Sequence, residues 1–317
     1  MKVTDLAIWE ELGSLQGWSE LAASCDASPF AWPSYCLPWW YELGWGRLAS
    51  IAVEESGLLV GLALLHDRVG DIGRHLIRFI GDEPGTYHQL LVADGRPDVT
   101  ALLWERLLSK GRAIDFSSVP TEIAKTYEAA TSCSLALTEH ASFGLVNVLI
   151  DGEEYAPTTD IRPVRKVTDS AECLDLIARP SEALRWGSGD QGSKMAAFFA
   201  SAVDASMRAG RLTLHVEDHQ DGPARGVLVL HGSGTSVVWR HVGRFGSDLS
   251  PALVQAATAE AAEKGSHRLL WPDDTAVPGQ PFPLTDITQM QPSEGRIHDF
   301  TALARGAIRG VRDYLTP

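Results

Sequence analysis

The sequence predicts an α/β protein made of two tandem domains, each a mixed, mostly antiparallel sheet with flanking helices. Two observations predict this fold. Each half of the chain runs in the same order, with a helix, a meander of strands, a second helix and a further strand. Hairpin-connected strands are antiparallel and a strand-helix-strand crossover is parallel, so this order gives a mixed sheet. The 317 residues suffice for two domains, which we place at 1–150 and 151–317.

Apolar spacing and turn residues predict the elements of the first half in order. A helical pattern covers Ile8–Cys25, and a short aromatic helix covers Pro33–Leu43 before Gly44. Four strand patterns follow, the first two joined by the turn Glu54–Gly57: Leu48–Val53, Leu58–Leu65, His75–Ile80 and His88–Val92. The half closes with a helix, a strand, a helix and two strands: Asp98–Lys110, Ala113–Phe116, Thr121–Ala130, Ser134–Thr138 and Gly144–Ile150.

A polar, proline-rich connector, Asp151–Pro163, opens the second half. Its predicted elements are two helices, three strands, a helix and a strand: Ser170–Ala178, Ser193–Ala209, Leu212–Val216, Gly226–Leu230, Ser236–Val242, Ser250–Lys264 and Arg268–Trp271. The helix after residue 249 has Ser250 as its predicted cap and Pro251 in its first turn. We expect 273–299 to be irregular and Phe300–Tyr314 to be helical.

The two halves also resemble each other in sequence. A strand opens with Gly46-Arg47-Leu48 in one half and with Gly210-Arg211-Leu212 in the other. In both halves a helix ends in Lys-Gly before a short apolar strand, at Lys110-Gly111 and at Lys264-Gly265. Helices that end in this way are common in α/β proteins, so they are weak signs of a repeat. The shared order of helices and strands is the more specific sign. The pattern therefore predicts a duplicated fold.

Charge and composition exclude several functions. A formal net charge of −14 repels DNA and anionic membranes at long range. No apolar run reaches the length of a membrane span, and 1–15 lacks a signal-peptide core, so we expect a cytoplasmic protein. The four cysteines form no CxxC pair and no HExxH occurs, so we expect reduced thiols and no metal. The sequence has no G-x-S-x-G motif, so it does not indicate a serine hydrolase. Gly187–Gly192 matches GxGxxG, but no strand is predicted before it, so it does not indicate a dinucleotide-binding site.

Several short motifs carry a resemblance to a known family. They are Ser28-Pro29-Phe30, Leu37-Pro38-Trp39-Trp40, Val60-Gly61-Leu62, Leu76–Gly81 and Tyr87–Val92. Together they resemble the CelD-like family of the GNAT acetyltransferase superfamily, over residues 1 to about 120 and less closely over 198–271. The resemblance implies two GNAT domains arranged as in the FemX-type aminoacyltransferases. It also implies acyl-CoA or, for the FemX type, aminoacyl-tRNA as the donor.

The best candidate for a cofactor site is the loop between the strand ending at Val242 and the helix beginning at Ser250. Backbone N–H groups at a helix N-terminus favour an anion, and GNAT enzymes hold the pyrophosphate of acyl-CoA there. The predicted cofactor-binding residues are Arg244, Phe245, Gly246, Ser247 and Ser250. A plain capped loop is an equally consistent interpretation, since the GNAT signature is incomplete and Asp248 opposes a phosphate. The corresponding loop of the first half, 93–98, is acidic, so we expect the donor in the second domain.

Acyl transfer to an amine needs a base and donors for the oxyanion. The candidates are His241, Asp273 and Asp274 from the second half, and Tyr87 and His88 from the first. Candidates for substrate binding are Asp82, Trp39, Trp40 and Trp239. Each has a structural alternative, such as a core histidine, a helix cap or an aromatic core patch.

Three functions follow from these residues. The first is an acyl-CoA-dependent N-acyltransferase that acts on a small amine-bearing metabolite in the cleft between the domains. The second takes aminoacyl-tRNA as its donor, although the charge of −14 disfavours tRNA. The third is a catalytically degenerate GNAT pair that acts as a binding protein. It is supported by Pro272-Asp273-Asp274, which stands where the family has a motif containing Gly-Asp.

Overall fold

The computed structural model describes residues 1–69, 75–82, 86–131, 135–140, 145–149, 163–178, 190–217, 225–242, 250–272, 280–281 and 284–289. These residues form helices and mixed sheets, which confirms the predicted α/β fold class. No helix in these ranges combines the length and the apolar character needed to cross a bilayer. Three of the four cysteines lie in the described part of the chain, and all three are free thiols: Cys25, Cys36 and Cys173.

The first half contains five α-helices and ten strands within the described ranges. The helices are α1 Trp9–Gly13, α2 Trp18–Ser24, α3 Pro33–Leu43, α4 Pro97–Ser109 and α5 Thr121–Ala130, with a 3-10 turn at Pro29–Ala31. The first six strands are β1 Lys2–Leu6, β2 Arg47–Leu48, β3 Ser50–Glu55, β4 Leu58–Ala63, β5 Leu65–Val69 and β6 His75–Phe79. The other four are β7 Leu91–Val92, β8 Ala113–Pro120, β9 Ala136–His140 and β10 Leu145–Leu149.

The second half contains three α-helices and seven strands within the described ranges. The helices are α6 Ser170–Ala178, α7 Asp190–Arg208 and α8 Pro251–Glu263. The strands are β11 Val164–Val167, β12 Leu212–Glu217, β13 Arg225–His231, β14 Thr235–Val242, β15 Arg268–Pro272, β16 Gln280–Pro281 and β17 Leu284–Gln289.

The strands form three sheets. A four-stranded sheet has the order β1-β3-β4-β7, and a six-stranded sheet has the order β2-β5-β6-β8-β17-β9. A seven-stranded sheet, β11-β12-β13-β14-β15-β10-β16, belongs mainly to the second half. The parallel pairs are β6 with β8 and β14 with β15, and each of these pairs is separated in sequence by a helix. The two halves therefore repeat the same crossover.

The two larger sheets exchange strands across the middle of the chain. β10 lies in the second-half sheet, antiparallel to β15, although it precedes residue 150. β17 lies in the first-half sheet, between β8 and β9. The boundary at residue 150 stays a prediction, but neither sheet is built from one side of it alone.

Helix α3 joins the two halves. Tyr35 on α3 is fully buried, and its ring meets Phe198 of α7 edge-on with 5.4 Å between centroids. The same ring lies 5.6 Å from the ring of Trp239 on β14. Gly81 packs against it with φ +84, and a Cβ there would lie 2.9 Å from Tyr35 Cε1, so the backbone needs glycine at this position. One hydrophobic core therefore contains residues from both halves.

Most predicted elements are confirmed, with differences of length or kind. The strands predicted at Leu48–Val53 and Leu58–Leu65 are each divided between the four-stranded and the six-stranded sheet. The single helix predicted at Ile8–Cys25 is two helices, because α1 ends at Gly13 and α2 begins only after Gly17, whose φ of +79 is not helical. The strand predicted at His88–Val92 is only Leu91–Val92. The strands β1 and β11 were not predicted.

A further difference lies in 273–299, where we expected no regular structure. Within that stretch the structure places β16 and β17. The tail helix predicted at 300–314 lies outside the described residues. The turn at Glu54–Gly57 is confirmed, with Ser56 at φ 52 and Gly57 at φ 80 as a tight hairpin requires.

We expect Tyr35→Ala to lower the free energy of unfolding by about 3–5 kcal/mol, because the variant leaves a cavity among rings from both halves. Tyr41→Ala, on the same helix, is the matched control, since Tyr41 is 74% exposed. We expect that control to change the free energy by about 0.5 kcal/mol or less. Urea denaturation of the full chain measures both. Equal losses in the two variants would contradict the assignment of Tyr35 to the shared core.

Candidate functional site

The second-half sheet opens between its two parallel strands. β14 pairs with β15 only at Thr235–Val237, opposite Arg268–Leu270. β14 continues to Val242, and within the described ranges its last five residues, Val238–Val242, pair with no strand on the β15 side. This opening is the candidate site.

Aromatic and imidazole side chains line the opening. His241 on β14 is partly buried, and its ring lies 6.2 Å from the ring of Trp271 on β15. Trp271 packs in the core beneath α8, together with Leu253 of that helix. His241 therefore lies on the side of the sheet that α8 covers. Trp239 does not share this position, because it packs on the opposite side, in the core of Tyr35 and Phe199, with 4.9 Å between its ring and that of Phe199.

Helix α8 begins near the same opening. Pro251 occupies the first turn, as predicted, and Ser250 is the cap residue with extended backbone angles. The Ser250 hydroxyl makes no capping hydrogen bond in the described structure, which differs from the predicted role of its side chain. In the first turn of α8 the Leu253 and Val254 N–H groups both donate to the Ser250 carbonyl, at 3.0 and 3.2 Å. Four predicted cofactor residues and two predicted acids lie outside the described residues: Arg244, Phe245, Gly246, Ser247, Asp273 and Asp274.

The matching opening in the first half is filled with side chains. β6 pairs with β8 at Leu76 and Ile77. Beyond this pairing the rings of Phe79 and Phe116 lie 4.3 Å apart, and His88 stacks on Phe79 at 5.4 Å and 19°. All three side chains are at most 2% exposed. The packed rings leave no room for a donor between these strands.

Polar contacts also close the first-half opening. Arg78 of β6 forms an ion pair with Asp115 of β8. Ser117 Oγ donates to Asp82 at 2.7 Å, and the His88 backbone N–H donates to the Ser118 carbonyl at 3.0 Å. Ser118 adopts φ 54, an uncommon angle that fits the irregular pairing of β8 with β17 at this point. Asp82 and His88 therefore cross-link the strands.

Tyr87 and His88, predicted as catalytic, are buried in the first half. Burial raises the pKa of Tyr87, and Ser28 Oγ donates to the Tyr87 backbone carbonyl at 2.7 Å. Burial lowers the pKa of His88 to about 3, and a ring nitrogen lies 2.9 Å from Thr86 Oγ1. The structure does not bring these two residues to the β14–β15 opening.

Trp39 and Trp40 contact a histidine that sequence reasoning missed. His66 on β5 is 2% exposed, and its ring lies 5.4 Å from that of Trp39 and 6.2 Å from that of Trp40. Burial lowers its pKa to about 4. In the pairing of β5 with β6, His66 lies opposite Arg78. An alternating pattern over Leu65–Arg68 was the available signal, since it places His66 and Arg68 on one face of the strand.

Comparisons with known proteins give the fold. No protein-family model matches the sequence, and no curated protein matches it. The crystal structure of FemX is similar over 96% of this chain and 92% of its own, with a TM-score of 0.59 and 11% identity. A conserved protein of unknown function from Bacteroides thetaiotaomicron is similar over 91% of this chain and 100% of its own, with a TM-score of 0.53 and 12% identity.

A putative acetyltransferase from Pyrococcus horikoshii covers 93% of this chain and 92% of its own, at a TM-score of 0.39 and 13% identity. The likeness to FemX and the repeated crossover together show a fold with mixed sheets that is similar to the fold of FemX. At these identities the likeness extends to the fold alone.

We expect the free energy of unfolding to fall as the pH drops from about 6.5 toward 3, because buried His88 stays neutral while the unfolded chain takes up a proton. The stability that neutral His88 contributes is fully present above the pKa of 6.5 that histidine has in the unfolded chain. It is lost as the pH falls below that value, at up to about 1.4 kcal/mol per pH unit. His88→Gln should reduce the slope of stability against pH by that amount. Urea denaturation at several pH values measures it. An unchanged slope in the variant would show that His88 does not titrate on unfolding.

Proposed function

We propose that this protein is a GNAT-type N-acyltransferase that binds acyl-CoA at the β14–β15 opening and acylates a small amine. The observation that carries the proposal is the contrast between the two copies. Among the described residues β14 pairs with β15 at Thr235–Val237 and continues beyond this pairing to Val242, while Phe79 and Phe116 fill the same place in the first half. A duplicated fold with one open copy and one filled copy fits a single donor site.

The surroundings of the opening suit an extended donor that ends in phosphates. A free strand edge can hydrogen-bond to the amide groups along the arm of a CoA ester, as one strand does to another. The N-terminus of α8 lies at the end of the loop that follows β14, and its helix dipole favours an anion. In the proposed arrangement the pyrophosphate lies against residues 244–250, with Gly246 allowing close approach of the backbone.

The proposed chemistry is direct transfer. The amine nitrogen attacks the thioester carbonyl, the C–N bond forms, the C–S bond breaks and the thiol of CoA leaves. A base takes the proton that the amine loses, and N–H donors stabilise the oxyanion. His241 is the described side chain best placed for proton transfer, because it lies in the opening beside Trp271. Asp273 and Asp274 remain proposed alternatives.

The acceptor is proposed to bind on the face of the first-half sheet that carries His66 and Arg78. These residues face one another on β5 and β6, next to the rings of Trp39 and Trp40. This face lies on the side of the core shared with the second half, since Trp39 belongs to that core. Asp82, half-buried and hydrogen-bonded by Ser117, supplies a carboxylate for an ammonium group.

Two other functions are retained as alternatives. An aminoacyl-tRNA donor would use the same fold as FemX but would have to approach a chain of net charge −14. A degenerate GNAT pair would bind a ligand without transferring a group. Membership of the CelD-like family remains a prediction.

We expect acetyl-CoA to raise the melting temperature of the full chain in a saturable way, because a ligand that binds only the folded state stabilises it. Gly246→Glu should abolish the shift, since it adds a side chain and a negative charge where the pyrophosphate is proposed to lie. Differential scanning fluorimetry with acetyl-CoA and with free CoA measures both effects.

Gly95→Glu is the matched control, because it adds the same charge to the corresponding loop of the first half. Gly95 has φ +71 and no atom within 4 Å of an added Cβ, so this variant costs about 1–2 kcal/mol of backbone strain and causes no clash. It should keep the acetyl-CoA shift. If wild-type protein shows no shift with either CoA compound, the acyl-CoA proposal is wrong. A shift with deacylated or aminoacylated tRNA instead would support the second function.

A further inference from the structure

An exposed aromatic patch lies on the surface of the first half. It consists of Ile8 and Trp9, at the start of α1, and Tyr41 of α3, and we call it the Trp9/Tyr41 patch. The rings of Trp9 and Tyr41 meet edge-on, with 6.4 Å between centroids and 62° between their planes. Tyr41 is 74% exposed, Ile8 54% and Trp9 41%. Large apolar residues that are exposed singly are ordinary, but a contiguous group of them marks an interaction surface.

The patch is held in place by packed helices. The Trp9 ring lies against Gly13, one turn further along α1, where an added Cβ would lie 3.3 Å from Trp9 Cζ3. Tyr41 lies on α3, and the burial of Tyr35 fixes this helix between the two halves. A surface that is already ordered loses little conformational entropy when a partner binds to it.

The surroundings of the patch are acidic. Residues 3–46 contain six acids and no lysine, arginine or histidine. Glu10 follows Trp9 and Glu42 follows Tyr41, so a carboxylate is attached about 3.8 Å along the chain from each ring-bearing Cα. Neither carboxylate forms an ion pair with a residue that the structure describes. The patch therefore combines exposed rings with negative charge, and both the local charge and the net charge of −14 attract a basic partner.

Two other tryptophan rings of the chain show which side chain suits such a surface. Arg68 Cζ lies 4.7 Å from the centre of the Trp45 ring, and Arg211 Cζ lies 3.0 Å from that of Trp32. A guanidinium group is planar and weakly hydrated, so it can stack on an aromatic face and also donate to a carboxylate. Among the described residues, no cation stacks on either ring of the Trp9/Tyr41 patch. The patch has the rings and carboxylates of an arginine site without the arginine.

We propose that the Trp9/Tyr41 patch docks an arginine-bearing segment of a partner protein. A guanidinium group stacks on the ring of Tyr41 or Trp9 and donates to the carboxylate of Glu42 or Glu10. Glu42 accepts a hydrogen bond from Ser201 Oγ at 3.4 Å, and an ionised carboxylate has further acceptor sites. The high exposure of the rings makes the patch an open surface, which fits a protein segment better than a small molecule. The proposal does not depend on the proposed acyltransferase activity.

The probe is a fluorescein-labelled nine-residue peptide with three arginines separated by glycines, titrated with the full chain and followed by fluorescence anisotropy. We expect saturable binding that weakens as the salt concentration rises from about 50 to about 300 mM, because exposed charges are screened. The same peptide with lysines should bind about threefold more weakly or worse, because an ammonium group does not stack as a planar guanidinium does. The same peptide with glutamines should show no saturable binding.

Variants locate the binding on the chain. Trp9→Ala and Tyr41→Ala should each weaken the arginine peptide about threefold or more, because each removes a ring face. Leu58→Ala is the matched control, since Leu58 is an equally exposed apolar residue on β4, at 70%, and it should leave the affinity unchanged. Glu42→Gln should weaken binding about twofold or more, whereas Glu128→Gln, which removes the same charge from α5, should not.

Four results would each overturn the proposal. The first is the absence of saturable binding of the arginine peptide at low salt, and the second is equal affinity in Tyr41→Ala and wild type. The third is binding of the lysine peptide as tightly as the arginine peptide. The fourth comes from sedimentation velocity: a concentration-dependent dimer that Tyr41→Ala abolishes would show that a second copy of the chain occupies the patch.

Discussion

The contact of helix α3 with the second half is the interaction on which the rest of the structure depends. α3 belongs to the first half by sequence, yet Tyr35 packs against Phe198 and Trp239 of the second. Large aromatic side chains bury more apolar area than other residues, so these rings contribute strongly to the association of the halves. Because the core is continuous, close packing of its side chains fixes the distance between the two halves. The halves therefore have little freedom to move relative to each other at the junction.

The two copies of the repeated crossover differ in structure. Whether a copy has an opening between its parallel strands depends on the side chains at matching positions. Phe79, Phe116 and His88 fill the first copy with core side chains, whereas in the second copy β14 continues beyond its described pairing with β15 and carries His241 there. A duplicated domain can lose a ligand site in this way without losing its fold, because filling a gap between strands adds buried apolar area.

The sequence predicted the fold class and most elements, because periodicity and turn residues are local signals. It also predicted the start of α8 from Ser250 and Pro251. The sequence did not predict that Tyr87 and His88 are buried. Phe30 packs on Tyr87 and Phe79 on His88, and no local pattern around residues 87 and 88 indicates these contacts. Nor did the sequence predict β17, because the stretch is rich in proline and its pairing partner, β8, is distant in the chain. Contacts of that kind depend on tertiary structure, and no local pattern encodes them.

The exchange of β10 and β17 between the sheets has a consequence for synthesis on the ribosome. Ile287 pairs with Phe116, about 170 residues earlier, so the first-half sheet has a gap between β8 and β9 until β17 has been translated. Domains of most proteins fold in turn as they emerge, but here the nascent first half exposes two strand edges throughout elongation. Such edges are sites of misassociation, so the first-half sheet is most exposed to misassociation before β17 has been translated.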